Sequence, residues 1–506
     1  MSARALVVGA GPNGLAAAIA LAEGGRDVLV LEASDRAGGA VRTEELTLPG
    51  FHHDVFSSVY PAGAASPVFA RMELERHGLR WVHPQACYAH PLPGGGGAAL
   101  YRDPARTAAS LDAVRAGDGD RWVAFAEPWM RHFRALRDTM LSGFPPVRGP
   151  VQLVARHGPR KAVELARLLL MPAQGLGDEL FEASGSRAWL YGSAMHGDTP
   201  PSAAGSAIAA AYLNLLGHAV GWPSPEGGAG RLAEALVGRL RELGGEVRTE
   251  ARVAQVATTN GRVAGVRLAD GEGVDGAIVV ADVMPRALLA MCGDALPADY
   301  ATALRHYRQG QATIKADWAL NGPIPWEAHA AREAGTVHVG GDEPEVLETT
   351  SMQSRLPEQP FLLVGQQSLA DPLRAPEGKH TAWAYTHGPY RTVDWAAEQE
   401  RHVERMEQQI ERFAPGFRDL ILARHVMGPA DLERRDPNLI DGDVGGGSYS
   451  LDQVLFRPVP SLSPYRTPLR GLYLGSAATF PGGAVHGVPG HAAGRVALAE
   501  ARLRRW

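Results

Sequence analysis

Residues Ala5–Thr43 read ALVVGAGPNGLAAAIALAEGGRDVLVLEASDRAGGAVRT, and the fold turns on them. The apolar run Ala5–Val8 leads into Gly9, Gly11 and Gly14, then an Ala/Leu-rich segment of helical spacing. A second apolar run, Val28–Leu31, ends on Glu32. Strand, glycine turn, helix, strand and acid in that order are what a dinucleotide site requires. Gly9 permits the tight turn, Gly11 lets the backbone approach a pyrophosphate, and Gly14 allows close helix–strand packing. The helix N-terminus offers its unpaired N–H groups to the phosphates. Glu32 follows Gly14 by eighteen residues, where a carboxylate accepts hydrogen bonds from a ribose diol.

Composition bounds the rest. A chain of 506 residues is too long for one core and implies two or more domains. A net charge of −5 gives no basic footprint, so nucleic acid is not an expected partner. Only three of the fifty basic residues are lysines: Lys161, Lys315 and Lys379. The two cysteines, Cys87 and Cys292, form no CxxC, which argues against a disulfide scaffold, a zinc ribbon and a redox dithiol. Met1–Arg4 runs straight into the first strand, leaving no room for a signal peptide, and no apolar run reaches about 18 residues. A cytoplasmic protein is the expectation, with no metal site.

Along the chain, Leu79–Cys87 reads as a strand and Pro91–Gly97 (PLPGGGG) as a hairpin tip. Trp122, Phe125, Trp129, Phe133, Leu136 and Met140 predict one amphipathic helix over 121–140. Residues 151–172 form a second amphipathic piece, with Arg156, Arg160, Lys161 and Arg167 set against valines and leucines. Such a basic helix can lie on an anionic membrane, a peripheral contact; the plainer reading, preferred here, is a helix capping the substrate domain. A helix over 231–243 leads to a strand at 246–256. A turn at Asn260-Gly261 marks a small β element, 312–320 alternates like a strand, and 392–413 is a long charged helix. A last helix begins near Pro489 and runs to the chain end.

Four blocks settle which dinucleotide. They are GAGPNGL (9–15) with LEASDRAGG (31–39), GWPSPEGGAGRLAEAL (221–236), EARVAQV (250–256) ahead of VVADVMPRALL, and LYLGSAATFPGGAVHGVPGHAA (472–493). In this order they resemble the phytoene desaturase-like flavoproteins, within the wider group of monoamine oxidase-type enzymes. The branch most similar is that of the pyridine nucleotide-disulfide oxidoreductase domain-containing protein 2-like proteins and carotenoid ketolases. The absence of any CxxC gives dithiol chemistry no support.

The resemblance implies an α/β chain with a glutathione-reductase-like Rossmann fold that binds FAD non-covalently, plus an α+β substrate-binding domain. Residues 1–70, 226–295 and 465–506 would form the discontinuous FAD domain, and 71–225 and 296–464 the substrate domain. By position, Gly9, Gly11 and Gly14 would hold the diphosphate, flanked by Pro12 and Asn13. Glu32 would meet the adenosine ribose beside Ala33. Gly38 and Gly39, with Arg36 and Arg42, would approach the diphosphate and ribityl chain. Val253 matches the residue whose backbone meets the adenine. Gly475, Ser476, Gly482, Gly483 and Val485 would run past the flavin. The helix from about Gly487 would aim its N–H groups at the flavin pyrimidine, where reduction gathers negative charge. Ala484 stands where the family often has a third glycine, and His486 follows it.

A flavin accepts a hydride and asks the protein mainly for orientation and exclusion of water. The resemblance implies hydride removal from a C–H bond of a lipophilic or natural-product-like substrate, as in a desaturase, dehydrogenase or ketolase. Two candidate catalytic residues stand out. Lys315, in a strand-like stretch, is a candidate for the lysine that holds a water near the flavin in monoamine oxidase-type enzymes, with a solvent-facing edge lysine the equal alternative; His486 is expected to line the site. The Lys315 match keeps a flavin amine oxidase as the rival function. A non-catalytic lipid escort on the same fold is the second rival, as Rab GDP-dissociation inhibitors are. His52-His53 reads as a surface loop pair, and Trp222, Trp318 and Trp326 as core rather than tunnel lining.

Overall fold

The run Ala5–Val8 is buried on both faces because it is the middle of a parallel five-stranded sheet. The strand order is Leu472–Leu474, Ile278–Ala281, Ala5–Val8, Val28–Leu31, Glu246–Arg248, every neighbour parallel. In this computed structural model the described residues are 4–197, 199–351 and 354–503. Alternate residues of each strand split between two cores. Ala5, Val7, Val28 and Val30 face the helices, among them Pro12–Glu23 and Val488–Leu503. Leu6, Val8, Leu29 and Leu31 face a three-stranded antiparallel sheet made of Val253–Thr259, Arg262–Leu268 and Gly273–Asp275. The Asn260-Gly261 turn between its first two strands has positive φ at both residues, +52° and +69°, as a tight hairpin turn requires.

A second, seven-stranded sheet runs Ile421–Met427, Ala312–Leu320, His380–Gly388, Leu362–Gly365, Ala334–Val339, Ala86–Pro91, Gly97–Leu100. Its pairs are antiparallel except Ala334–Val339 with Ala86–Pro91. One face, carrying Ile314, Ala316, Trp318, Ala384, Val364 and Val337, packs on the long helix Trp395–Phe413 through Val403, Met406 and Ile410. The other face is different in kind. Register places Lys315, Tyr385, Leu363 and His338 in one row across four strands, and Asp317, Trp383, Gly365, Thr336 and Tyr88 in the next. Polar and aromatic groups thus share a buried sheet face where apolar side chains are the rule.

Several predicted elements are interrupted, each for a local reason. The helix expected over 121–140 is two, Asp118–Arg131 and Phe133–Met140, because His132 leaves helical geometry at φ −115° and ψ 14°. The piece over 151–172 divides into Arg148–His157 and Pro159–Leu170, because Gly158 has φ +74° and Pro159 cannot continue a helix. Pro84 separates Trp81–Val82 from Ala86–Pro91, and Glu250 at φ +54° separates Glu246–Arg248 from Val253–Thr259. The last helix is Val488–Leu503, with 504–506 outside the described residues. Among the described residues no helix is long and apolar enough to cross a membrane.

Candidate active site

The first strand delivers Gly9 at φ +96°, and the helix Pro12–Glu23 follows with Gly11 as its N-cap. A Cβ on Gly14 would collide with the Gly9 carbonyl, whose carbon lies 3.0 Å away and whose oxygen is nearer, so helix and strand meet backbone to backbone. The next loop folds over this turn. The Gly38 N–H donates to the Ala10 carbonyl at 2.9 Å, and a Cβ on Gly39 would sit 3.0 Å from the Gly11 Cα. Among the described residues, the N–H groups of Asn13, Gly39 and Ala40 make no hydrogen bond, and the Arg42 Nε is buried without a partner. Glu32, only 8% exposed, closes the far side and accepts from the Ala10 N–H at 2.7 Å and the Ser34 N–H at 2.8 Å. A glycine-walled crevice with unspent N–H donors fits a dinucleotide diphosphate, and a carboxylate at the end of the second strand fits a ribose.

Ala33 and Arg36 point outward, both exposed, with Arg36 reaching only Asp35 at 3.5 Å. Val253 opens the antiparallel strand and is half-buried. Gly475 donates to the Ala281 carbonyl at 2.9 Å and lies close against the C-terminal helix, where a Cβ would come within 3.1 Å of the Gly490 Cα. Ser476 is buried and accepts from the Ala478 N–H. Gly482 takes φ +110°, and the Gly483 N–H donates to the Tyr449 hydroxyl at 3.0 Å. Ala484 and Val485 then adopt φ of +77° and +50°. The backbone therefore keeps a glycine-type turn at Ala484 without the glycine, at a cost of about 1–3 kcal/mol for each such residue.

Three charged groups at this site escaped the sequence reading. Asp282 ends the strand Ile278–Ala281 as Glu32 ends Val28–Leu31, and it accepts the Gly14 N–H at 2.7 Å. Burial raises its carboxyl to about 7; the Gly14 N–H opposes this, and the nearby Asp436 and Glu32 add to it. Asp436, also raised by burial, stands 3.7 Å from where a Gly39 Cβ would lie. The apolar run followed by acid in VVAD was the available signal. Arg457 is fully buried, bonds to the Tyr307 hydroxyl at 2.6 Å, and leaves Nε and Nη1 unpartnered beside the Gly482 turn. No motif marks it.

His486 is buried and wired into its own loop. Its Nδ1 accepts the Val488 N–H at 3.2 Å, its carbonyl accepts from Ser66, and burial lowers it to about 4. As placed, its neutral ring shapes the turn into the last helix. Lys315 does not face solvent: it is 3% exposed in an interior strand, donates to the Asp54 carbonyl at 3.1 Å and pairs with Asp317. His53 corrects the surface reading of the His52-His53 pair. It is 2% exposed, bonds Thr47 at 2.8 Å, and lies 3.7 Å from Asp317, with burial and then Lys315 lowering it to about 3. Asp54 and Asp371 flank Arg374 at 2.9 and 2.8 Å, completing a buried charge network beneath the polar sheet face.

Tyr385 lies in the polar sheet face and His196 against its His338, and both keep part of their surface accessible. The Tyr385 ring stacks 5.9 Å from Trp383 and meets His387 edge-on at 5.3 Å. His196 Nε2 lies 2.9 Å from His338 Nε2, and both rings are kept neutral chiefly by burial. Trp222 closes on His196 at 4.8 Å, whereas Trp318 and Trp326 lie in the core on the opposite face.

The chain and its fold have counterparts. A family model described as flavin-containing amine oxidoreductase matches residues 13–492. The chain is 28% identical over 557 residues to pyridine nucleotide-disulfide oxidoreductase domain-containing protein 2 of Rattus norvegicus, covering 98% of this chain and 93% of that one. It is 28% identical over 275 residues to a lycopene-forming phytoene desaturase of Pseudescherichia vulneris, covering 52% and 53%. Its fold is like that of putrescine oxidase bound to putrescine, with TM-score 0.62, 16% identity and the whole of both chains covered. The chain belongs to the flavin-containing amine oxidoreductase family, and its cofactor is FAD.

Proposed function

We propose that this FAD-dependent oxidoreductase removes a hydride from a C–H bond of a lipophilic, natural-product-like substrate while the neighbouring carbon or hydroxyl loses a proton, leaving a C=C or C=O bond. The observation that carries this reading is the wall of Tyr385, His196 and Trp222 at the polar sheet face, which offers aromatic surface and neutral imidazole rather than a free charge. An apolar substrate sheds its hydration there, and exclusion of water protects the reacting carbon. The bound FAD supplies a two-electron acceptor. The phytoene desaturase relative supports the same chemistry. Amine oxidation remains the second reading, favoured by the family description and by Lys315 in the same row as Tyr385. Anaerobic titration of the FAD-loaded protein separates them. Phytoene dispersed in detergent, or another isoprenoid, is expected to bleach the flavin absorbance while putrescine and other primary amines leave it oxidised. Bleaching by amines alone would replace this proposal with the second.

The chain's own residues set how FAD is held. Asn13, Gly39 and Ala40 would donate to the diphosphate, Arg42 would supply its spare Nε–H, and Glu32 would take the ribose. Asp282 then imposes a pH dependence. Its pKa of about 7 in the fold lies above the unfolded value near 4, so the folded form holds a proton that the unfolded chain releases. Stability from this group is present below about pH 4 and is lost as pH rises through 7. The diphosphate adds negative charge beside the same carboxyl, so FAD affinity is expected to weaken above pH 7 by up to about tenfold per pH unit. Asp282→Asn should flatten that slope, read as FAD dissociation constants by fluorescence. An unchanged slope would place the titrating group elsewhere.

A further inference from the structure

Five of the thirteen large apolar side chains left exposed among the described residues fall between positions 147 and 170: Val147, Val151, Val154, Val163 and Leu170. They lie on the two consecutive helices Arg148–His157 and Pro159–Leu170 and the residue before them. A surface helix ordinarily turns one apolar stripe inward and polar residues outward. Each of these helices has its inward stripe, Leu153 on the first and Leu165 with Leu168 on the second, all buried. A second apolar stripe faces out: Val147, Val151 and Val154 follow i, i+4, i+7 spacing, and Val163 and Leu170 are i, i+7. Val151 and Val163 are 63% and 67% exposed.

The charge around these stripes has one sign. Residues 147–170 hold Arg148, Arg156, Arg160, Lys161 and Arg167 against the single acid Glu164, in a chain whose net charge is −5. Arg160 and Lys161 share Glu164, and Arg167 reaches Glu179. Arg148 and Arg156 have no carboxylate partner among the described residues. Exposed aliphatic side chains flanked by guanidinium groups match a bilayer interface, where acyl chains take the valines and leucine and anionic headgroups take the arginines. We propose that this two-helix face, Val147 to Leu170, docks the protein on an anionic membrane surface. The surface is independent of the chemistry proposed above.

Vesicle flotation of the FAD-loaded full chain tests it. Wild type is expected to float with phosphatidylcholine vesicles containing about 30 mol% phosphatidylglycerol, to bind pure phosphatidylcholine less, and to be released by roughly 0.5 M salt. The double variant Val151→Asp with Val163→Asp should lower the partition by at least about tenfold while keeping wild-type flavin absorbance, because both side chains are already in water. Arg148→Glu with Arg156→Glu should remove the preference for anionic lipid. The proposal is overturned if wild type stays unbound with both vesicle types, or if the valine variant floats like wild type. It is equally overturned if lipid-free light scattering finds a dimer that the valine variant splits, since the face would then meet a second copy of this chain.

Discussion

Gly14→Val is expected to yield protein that retains almost no FAD. A Cβ there is driven into the Gly9 carbonyl, and its second neighbour is the Asp282 carboxyl at 3.2 Å. The obstructing group is backbone, anchored by the Gly9 N–H to the Leu31 carbonyl at 2.8 Å, so no side-chain rotation relieves the overlap. The helix must move off the strand, and the N–H donors of its first turn move with it. It must also break the Gly14–Asp282 hydrogen bond, leaving a buried carboxyl less satisfied. Together these exceed about 3 kcal/mol, or at least about a hundredfold in FAD affinity. The flavin-to-protein absorbance ratio after desalting reads this directly. Gly96→Ala is the control: nothing lies within 4 Å of its Cβ, and it should bind FAD as wild type does. If both variants came out yellow, the Gly9–Gly14 contact would not hold the cofactor site.

That the Gly14 contact could be anticipated, and the Asp282 contact could not, shows where the sequence is readable. The glycine turn, its helix and Glu32 are contiguous, and local rules of strand, turn and helix fix their mutual geometry. The same holds for the Pro91–Gly97 hairpin tip and the Asn260-Gly261 turn. Interruptions at Gly158-Pro159 and Pro84 were also written in residue types, but apolar periodicity outweighed them in the reading. Asp282 is different: it meets Gly14, 268 residues away in sequence, only because the strands Ala5–Val8 and Ile278–Ala281 lie side by side. Lys315 likewise joins the row of Tyr385 and His338 only because Ala312–Leu320 pairs with His380–Gly388, two strands that are not consecutive in the chain. Alternation predicted that 312–320 is a strand. It could not say that Lys315 and Asp317 turn inward together while Ile314 and Trp318 turn to the helix face, because both faces are buried. The exposure of Val151 and Val163 was hidden for a related reason, since a helix with two apolar stripes looks, in sequence, like one with a broad inward face.

Lys315→Met, which would ordinarily test a lysine for a role in amine oxidation, is expected first to destabilise the fold. The ammonium is paired with Asp317, fully buried, and donates to the Asp54 carbonyl at 3.1 Å. Burial already raises Asp317 to about 6 while Lys315 pulls it down, so removing the lysine raises it further. Leaving one partner of a buried pair uncompensated costs about 3–5 kcal/mol. The sign is testable. Wild-type Asp317 ionises in the fold near pH 6 and the variant's only at higher pH, so the deficit of Lys315→Met relative to wild type should grow as pH rises above about 6. His53, with its Nδ1 3.7 Å from Asp317, could offset part of the loss by taking a proton toward the orphaned carboxylate. Adding Asp317→Asn removes the unpaired charge, and the double variant should recover at least about half of the loss, as a double-mutant cycle would report by thermal melts of the FAD-loaded protein. Turnover belongs to that double variant rather than to Lys315→Met alone: a catalytic lysine leaves it folded but inactive, a structural one leaves it folded and active. A Lys315→Met protein that melts with wild type at every pH would mean that the Lys315–Asp317 pair contributes nothing to the fold, and the lysine would then be free to act on substrate.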